Sequence, residues 1–220
     1  MAIYNSKYEI SYFAAPKCAS SSLKAVFFYL ENGFEWRQFT RNGRVMHIHN
    51  VYPGAPFDVA KEHCPDGHWK FAVVRDPIKR LASCYKNRVL TGPYQQRIKA
   101  KKGLARRLGV TEQPSFPTFV ENLEAYREFS PDLEGHTDPM SKFLGTDVSF
   151  YDRIYDVSEL DTLQADLTQR CGMPVTIPHL QKRGQGKKVE GLNARLEQKL
   201  LDFYAEDYRM FGDHLERLAA

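Results

Sequence analysis

Along the chain, short β-prone or continuous apolar runs alternate with stretches in which apolar residues recur every three or four positions. The first such pair spans Tyr8 to Glu31. Ile10 to Ala14 is β-prone, Pro16 breaks the run, a small-residue loop follows, and Leu23, Val26, Phe27 and Leu30 then keep helical spacing. The second pair spans Trp69 to Val89. Phe71 to Val74 is the near-continuous apolar run that a strand buried on both faces needs, and Asp76-Pro77 is a helix start. Ile78, Leu81, Ala82, Tyr85 and Val89 form that helix's apolar stripe, which sets Asp76, Lys79, Arg80, Ser83 and Asn87 on the other side. A third pair follows with a strand over Arg153 to Val157 and an amphipathic helix over Glu159 to Cys171. Between these, Asn42-Gly43 marks a turn before the alternating run Arg44 to His49, and a short helix is expected near Phe57 to His63. Ser115 to Phe129 and Leu192 to Phe211 read as further helices. This βα repetition predicts an α/β fold with a central parallel sheet.

The first loop carries candidate chemistry. A strand feeding a helix N-terminus presents backbone N–H groups that lack intrahelical partners, which makes an anion site. Lys17 adds a point charge there and Ser20, Ser21 and Ser22 add hydroxyls, so the expected ligand is a phosphate or a sulfate. The loop is not GxxxxGK[ST]: Lys17 precedes the serines and there is no glycine. The plainer alternative is a strand-to-helix connection whose serines cap the helix. In the second pair, Arg75 emerges at the carboxyl end of a strand, where open α/β sheets place ligands, and Ser83 is free to face one. Strand alternation over His47-Ile48-His49 puts both imidazoles on one face, either sharing a pocket or simply exposed or packed. Arg97 to Arg107 is a basic run without an acidic residue, read as a solvated face or as a rim that steers anions.

Length and composition suit one compact domain over residues 1–220. No apolar run is long enough to span a bilayer, and MAIYNSKYE lacks a charged-then-apolar signal pattern, so a soluble, cytoplasmic protein is expected. Cys18, Cys64, Cys84 and Cys171 are scattered with no CxxC pair, which argues for reduced thiols and against a metal site. Cys18 in the anion loop reads either as a reactive thiol or as a small space-filling residue. A net charge of +4 with no aromatic interleaving in the basic run gives no case for nucleic-acid binding.

With these residues in place, the chain resembles a family. PKCASSS, residues Pro16, Lys17, Cys18, Ala19, Ser20, Ser21 and Ser22, looks like the 5′-phosphosulfate loop of sulfotransferases. RDPIKRLAS looks like their 3′-phosphate motif, in which Arg75 and Ser83 are separated by seven residues. The closest likeness is to carbohydrate sulfotransferases, including the heparan and uronyl 2-O-sulfotransferase group. The resemblance implies a three-layer sandwich of the P-loop nucleoside-triphosphatase type. It also implies 3′-phosphoadenosine 5′-phosphosulfate as donor without a metal, and a carbohydrate or other hydroxyl-bearing acceptor. That group carries a His-x-His between its donor motifs, which makes His49 the first candidate for general base and His47 its neighbour. His136 with Pro139 resembles the family's HxxPQ segment, with Met140 in place of Gln, and is a second candidate in an expected loop. Pro178 to Lys188 looks like the loop that closes over the donor's adenosine and 3′-phosphate, with Lys182 and Arg183 as phosphate partners. A small-molecule kinase on the same fold, or a non-catalytic phosphonucleotide or anionic-glycan binding protein, is the alternative.

Overall fold

The computed structural model describes residues 2–90, 94–180 and 191–215. The chain divides into two compact units, Met1–Arg75 with Met140–Gln181 and Met210–Ala220, and Asp76–Pro139 with Lys182–Arg209.

The first unit holds a four-stranded sheet ordered β1 (Ala2–Asn5), β2 (Ile10–Phe13), β5 (Trp69–Val74) and β6 (Arg153–Asp156), with helix α1 (Ser20–Asn32) following β2. β2, β5 and β6 run parallel, with Phe13 opposite Ala72 and Phe71 opposite Arg153. β1 pairs antiparallel with β2, so the sheet is mixed rather than wholly parallel. The reason is the short connection Ser6–Glu9, which closes a hairpin, whereas a parallel neighbour needs a crossover of a dozen residues or more.

Successive residues of β2 point to opposite faces. Tyr12 stacks between Phe27 of α1 and Phe71, with ring centroids 5.9 and 5.1 Å away, while Phe13 meets Phe57, Phe150 and Tyr151. Helices therefore cover both faces of the strand, and all four of its residues are buried. Val26 and Phe27 are indifferent helix formers, at a cost of a few tenths of a kcal/mol each, but burying such side chains returns about 1.5–3 kcal/mol apiece. Helix α1 ends at Gly33, whose left-handed φ of 77° lets its N–H reach the Tyr29 carbonyl. The two-stranded ribbon β3 (Phe39–Arg41) and β4 (Arg44–Met46) turns at Asn42-Gly43, both with positive φ, as the sequence predicts.

The second unit is helical. Its core gathers Tyr85, Tyr94, Phe119, Tyr126, Phe129 and Tyr204, with the basic run forming the helices Tyr94–Ala100 and Lys102–Leu108 that bury Ile98 and Ala105. The helix expected over Ser115 to Phe129 breaks at Asn122, and the last one breaks at Tyr204. Asp76 caps Pro77–Cys84 by accepting from the Lys79 N–H at 2.7 Å. Arg80 departs from the expected polar face of that helix. It is fully buried, its guanidinium donating to the carbonyls of His136 at 3.3 Å and Asp138 at 2.5 Å and lying 5.4 Å from the Tyr204 ring. Among the described residues no helix is long and apolar enough to cross a membrane.

Candidate active site

The loop between β2 and α1 is built without glycine, and two of its residues take left-handed backbone angles, Lys17 at φ 68° and Ala19 at φ 56°. Each costs roughly 1–2 kcal/mol for an L-residue, so the surrounding packing must hold them. Part of that packing is Cys18, which is fully buried with its Sγ 3.7 Å from Met140 Sδ, as a space-filling residue should be. Ala19, not a serine, occupies the N-cap of α1 and makes no side-chain cap hydrogen bond, so the three serines lie inside the first turn. The positive end of a helix 13 residues long therefore opens onto the loop that carries Lys17.

The three serines have separate tasks. Ser22 Oγ accepts the backbone N–H of Leu180 at 3.5 Å, which brings the start of the Pro178–Lys188 segment to the loop. Lys182 and Arg183 of that segment lie outside the described residues. Ser21 Oγ lies 2.9 Å from His49 Nε2. Ser20 is buried in the first turn.

His49 belongs to a four-residue helix, α2 (Ile48–Val51), and not to a strand. The strand β4 stops at Met46 because the Asn50 side chain accepts the His47 N–H at 2.8 Å and starts the helix there. The expected pairing of the two imidazoles on one strand face is thereby lost. His47 precedes the helix and His49 lies within it; both residues are exposed, and the His49 ring reaches Ser21 and Lys24 of α1.

There it meets a residue that periodicity alone did not select. Lys24 is 1% exposed, with its Nζ 3.1 Å from His49 Nδ1 and donating to the Tyr52 carbonyl at 2.6 Å. Desolvation pushes its ammonium down to about 8. The consequence for His49 is a choice of tautomer. A charged Lys24 donates to Nδ1 and leaves the ring proton on Nε2, facing Ser21. A neutral Lys24 accepts from Nδ1–H, and Nε2 then presents a lone pair. The sequence signal for Lys24 was a single charge embedded in the apolar run Leu23 to Phe27.

Arg75 stands at the end of β5, the strand that neighbours the one feeding the loop. Its Nε is buried without a hydrogen-bond partner among the described residues, an unmet donor of the sort that a phosphate oxygen satisfies. Ser83 is half-buried on the helix Pro77–Cys84 of the second unit. His136 is also in that unit, and it lies in the helix Pro131–Thr137 rather than in a loop, because Ser130 caps and Pro131 opens a helix there. Its Nδ1 is 2.7 Å from the Asp132 carbonyl and its Nε2 is 2.9 Å from the Arg88 guanidinium. A guanidinium only donates, so Nε2 accepts and Nδ1 holds the proton, which leaves neither nitrogen idle.

The donor set around the loop suits an oxyanion such as a phosphate or a sulfate: a helix N-terminus, a lysine, serine hydroxyls and an arginine with an unmet N–H among the described residues. A family model described as the sulfotransferase family matches residues 1–212. No curated protein and no solved structure matches the chain.

Proposed function

The chain belongs to the sulfotransferase family, and from that premise we propose that it moves a sulfuryl group from 3′-phosphoadenosine 5′-phosphosulfate to a carbohydrate hydroxyl. The observation that carries this reading is the β2–loop–α1 unit, in which the helix N-terminus and Lys17 adjoin Ser21 and Lys24 of α1, the two residues that the His49 ring of α2 meets. When bound, the donor supplies an activated sulfuryl group on a phosphate leaving group. In this reading Lys17 and the first amides of α1 hold the 5′ end, with Pro16 to Ser22 as the cradle. Arg75 and Ser83, and with them Lys182 and Arg183, are assigned to the 3′-phosphate on the strength of the sequence motifs.

His49 is the base. With Lys24 neutral, Nε2 takes the proton of an acceptor hydroxyl that replaces Ser21 as its partner, while Nδ1–H donates to Lys24 and keeps the ring oriented. Lys24 is thus a positioning residue for the base. His47 and His136 are the further candidates for acceptor contact, and a cytoplasmic location is part of the same proposal.

The test is a thermal melt. Adenosine 3′,5′-bisphosphate without Mg²⁺ is expected to raise Tm, with about 2.7 kcal/mol of stabilisation at ~100 times its Kd. A larger shift with Mg-ATP would support phosphoryl transfer instead.

A further inference from the structure

One side of the first unit is unusual in its exposed carbon. Among the described residues, four of the seven large hydrophobic side chains left exposed, Phe34, Phe39, Val45 and Val51, fall between residues 34 and 51. Phe34, at 61% exposed, Phe39, at 47%, and Val51, at 38%, join Phe28 and Trp36 around a groove of about 710 Å³. Its rings are ordered edge to face: Phe28 lies 5.5 Å from Phe34 and 5.1 Å from Trp36, and Trp36 lies 5.7 Å from Phe39. The two charged residues at the groove, Glu35 and Arg37, have opposite sign, so it does not favour a polyanion. Contiguous apolar surface of this kind marks a binding site more often than chance exposure does.

Its position says what it binds. Ser21, Lys24 and Phe28 fall at i, i+3 and i+7 of α1 and therefore share one face of that helix. Val51 of the groove is two residues from His49 on α2. One helix face thus runs from the anion loop, past the imidazole, into the aromatic groove. The rise from Ser21 to Phe28 is about 10 Å at 1.5 Å per residue, the span of a sugar ring and the first carbons attached to it.

We propose that this groove is the acceptor's aglycone subsite, and that the acceptor is an uncharged sugar hydroxyl carried on an alkyl or aryl body. The proposal rests on the sulfuryl-transfer reading of His49 for its hydroxyl and on the groove alone for its apolar end. Burying three methylenes, at about fourfold each, makes a long-chain glycoside bind roughly 60-fold more tightly than a methyl glycoside.

The experiment compares octyl and methyl β-glucoside below the micellar range, read both by tryptophan fluorescence and by labelled-sulfate transfer. Trp36 is the reporter, since the other tryptophan, Trp69, is buried under Arg170. Octyl glucoside is expected to bind at least tenfold more tightly, with a fluorescence change that Trp36→Leu abolishes and Phe34→Ser weakens. Phe34 is exposed enough for the latter substitution to spare the fold. Equal affinity for the two glucosides, or tight octyl binding untouched by both variants, overturns the proposal. Transfer to methyl glucoside with no octyl preference overturns the groove and leaves the transfer reading standing. Octyl binding at Trp36 without any transfer upholds the groove and removes the transfer reading. Loss of self-association in Phe34→Ser, with no glucoside bound by the parent, makes the face an interface between copies and overturns the proposal.

Discussion

Replacing Lys24 with Met keeps the side-chain length and removes the buried ammonium, so the pair of proteins isolates what that charge does. Folding takes the Lys24 pKa from 10.5 to about 8, because its Nζ is desolvated against α2. Between those two values the unfolded chain binds a proton that the folded chain does not, and stability must therefore rise with pH across that window. The difference of about 2.5 units, at 1.36 kcal/mol per unit, is roughly 3 kcal/mol. Urea unfolding at intervals from pH 7 to pH 10.5 measures it. The parent's stability minus that of Lys24→Met is expected to be flat up to about pH 7.5 and then to climb by roughly 3 kcal/mol, the other titrating groups cancelling in the difference. Turnover gives the second reading: it should rise through the same pKa of about 8 in the parent, as Lys24 becomes an acceptor for Nδ1–H, and Lys24→Met should lose that limb. A flat difference curve, or one that falls with pH, refutes the burial argument and with it the tautomer switch.

Three further outcomes follow from the same geometry. Arg75→Ala should weaken binding of adenosine 3′,5′-bisphosphate by about 1.5–3 kcal/mol, measured by calorimetry, and Ser83→Ala by less, with little change toward the nucleotide lacking the 3′-phosphate. Equal losses for both nucleotides would make these residues structural. Ala19→Gly should raise stability by up to about 1 kcal/mol in a denaturant melt, since the left-handed φ of 56° costs an alanine more than glycine loses in chain entropy; a destabilised variant would deny the strain. Arg80→Leu should cost about 2–4 kcal/mol, because the His136 and Asp138 carbonyls lose a charged donor, and an unchanged melt would contradict that.

The parts of this protein that follow from periodicity were legible. The switch from the Ile10 run to the Leu23 spacing gave β2 and α1, and Phe71 to Val74 with Asp76-Pro77 gave a buried strand and a capped helix. What local pattern did not carry was set by partners distant in sequence. Lys24 and Arg80 sit on helices where their charge reads as outward-facing. Both are buried because carbonyls from elsewhere, Tyr52 for one and His136 and Asp138 for the other, receive their donors. The alternation Arg44 to His49 reads as a strand, yet Asn50 ends it by capping. The last helix keeps its apolar spacing through the break at Tyr204, where the phenol donates to the Thr137 carbonyl at 2.7 Å, so the pattern holds no trace of the interruption. The antiparallel edge strand β1 was missed for a different reason: its buried alternate positions are Ile3 and the polar Asn5, so no apolar alternation marks it.

His49 is proposed to take the acceptor's proton in a sulfuryl transfer. Labelled-sulfate transfer from 3′-phosphoadenosine 5′-phosphosulfate, with the parent, His49→Ala and His136→Ala assayed side by side on one acceptor, tests it most directly. Transfer by the parent with a loss of about 10²–10⁴-fold in kcat for His49→Ala is expected, the usual worth of a positioned base, together with unchanged binding of adenosine 3′,5′-bisphosphate. Full turnover by His49→Ala, with His136→Ala inactive, would contradict the account and move the catalytic centre to the helix Pro131–Thr137.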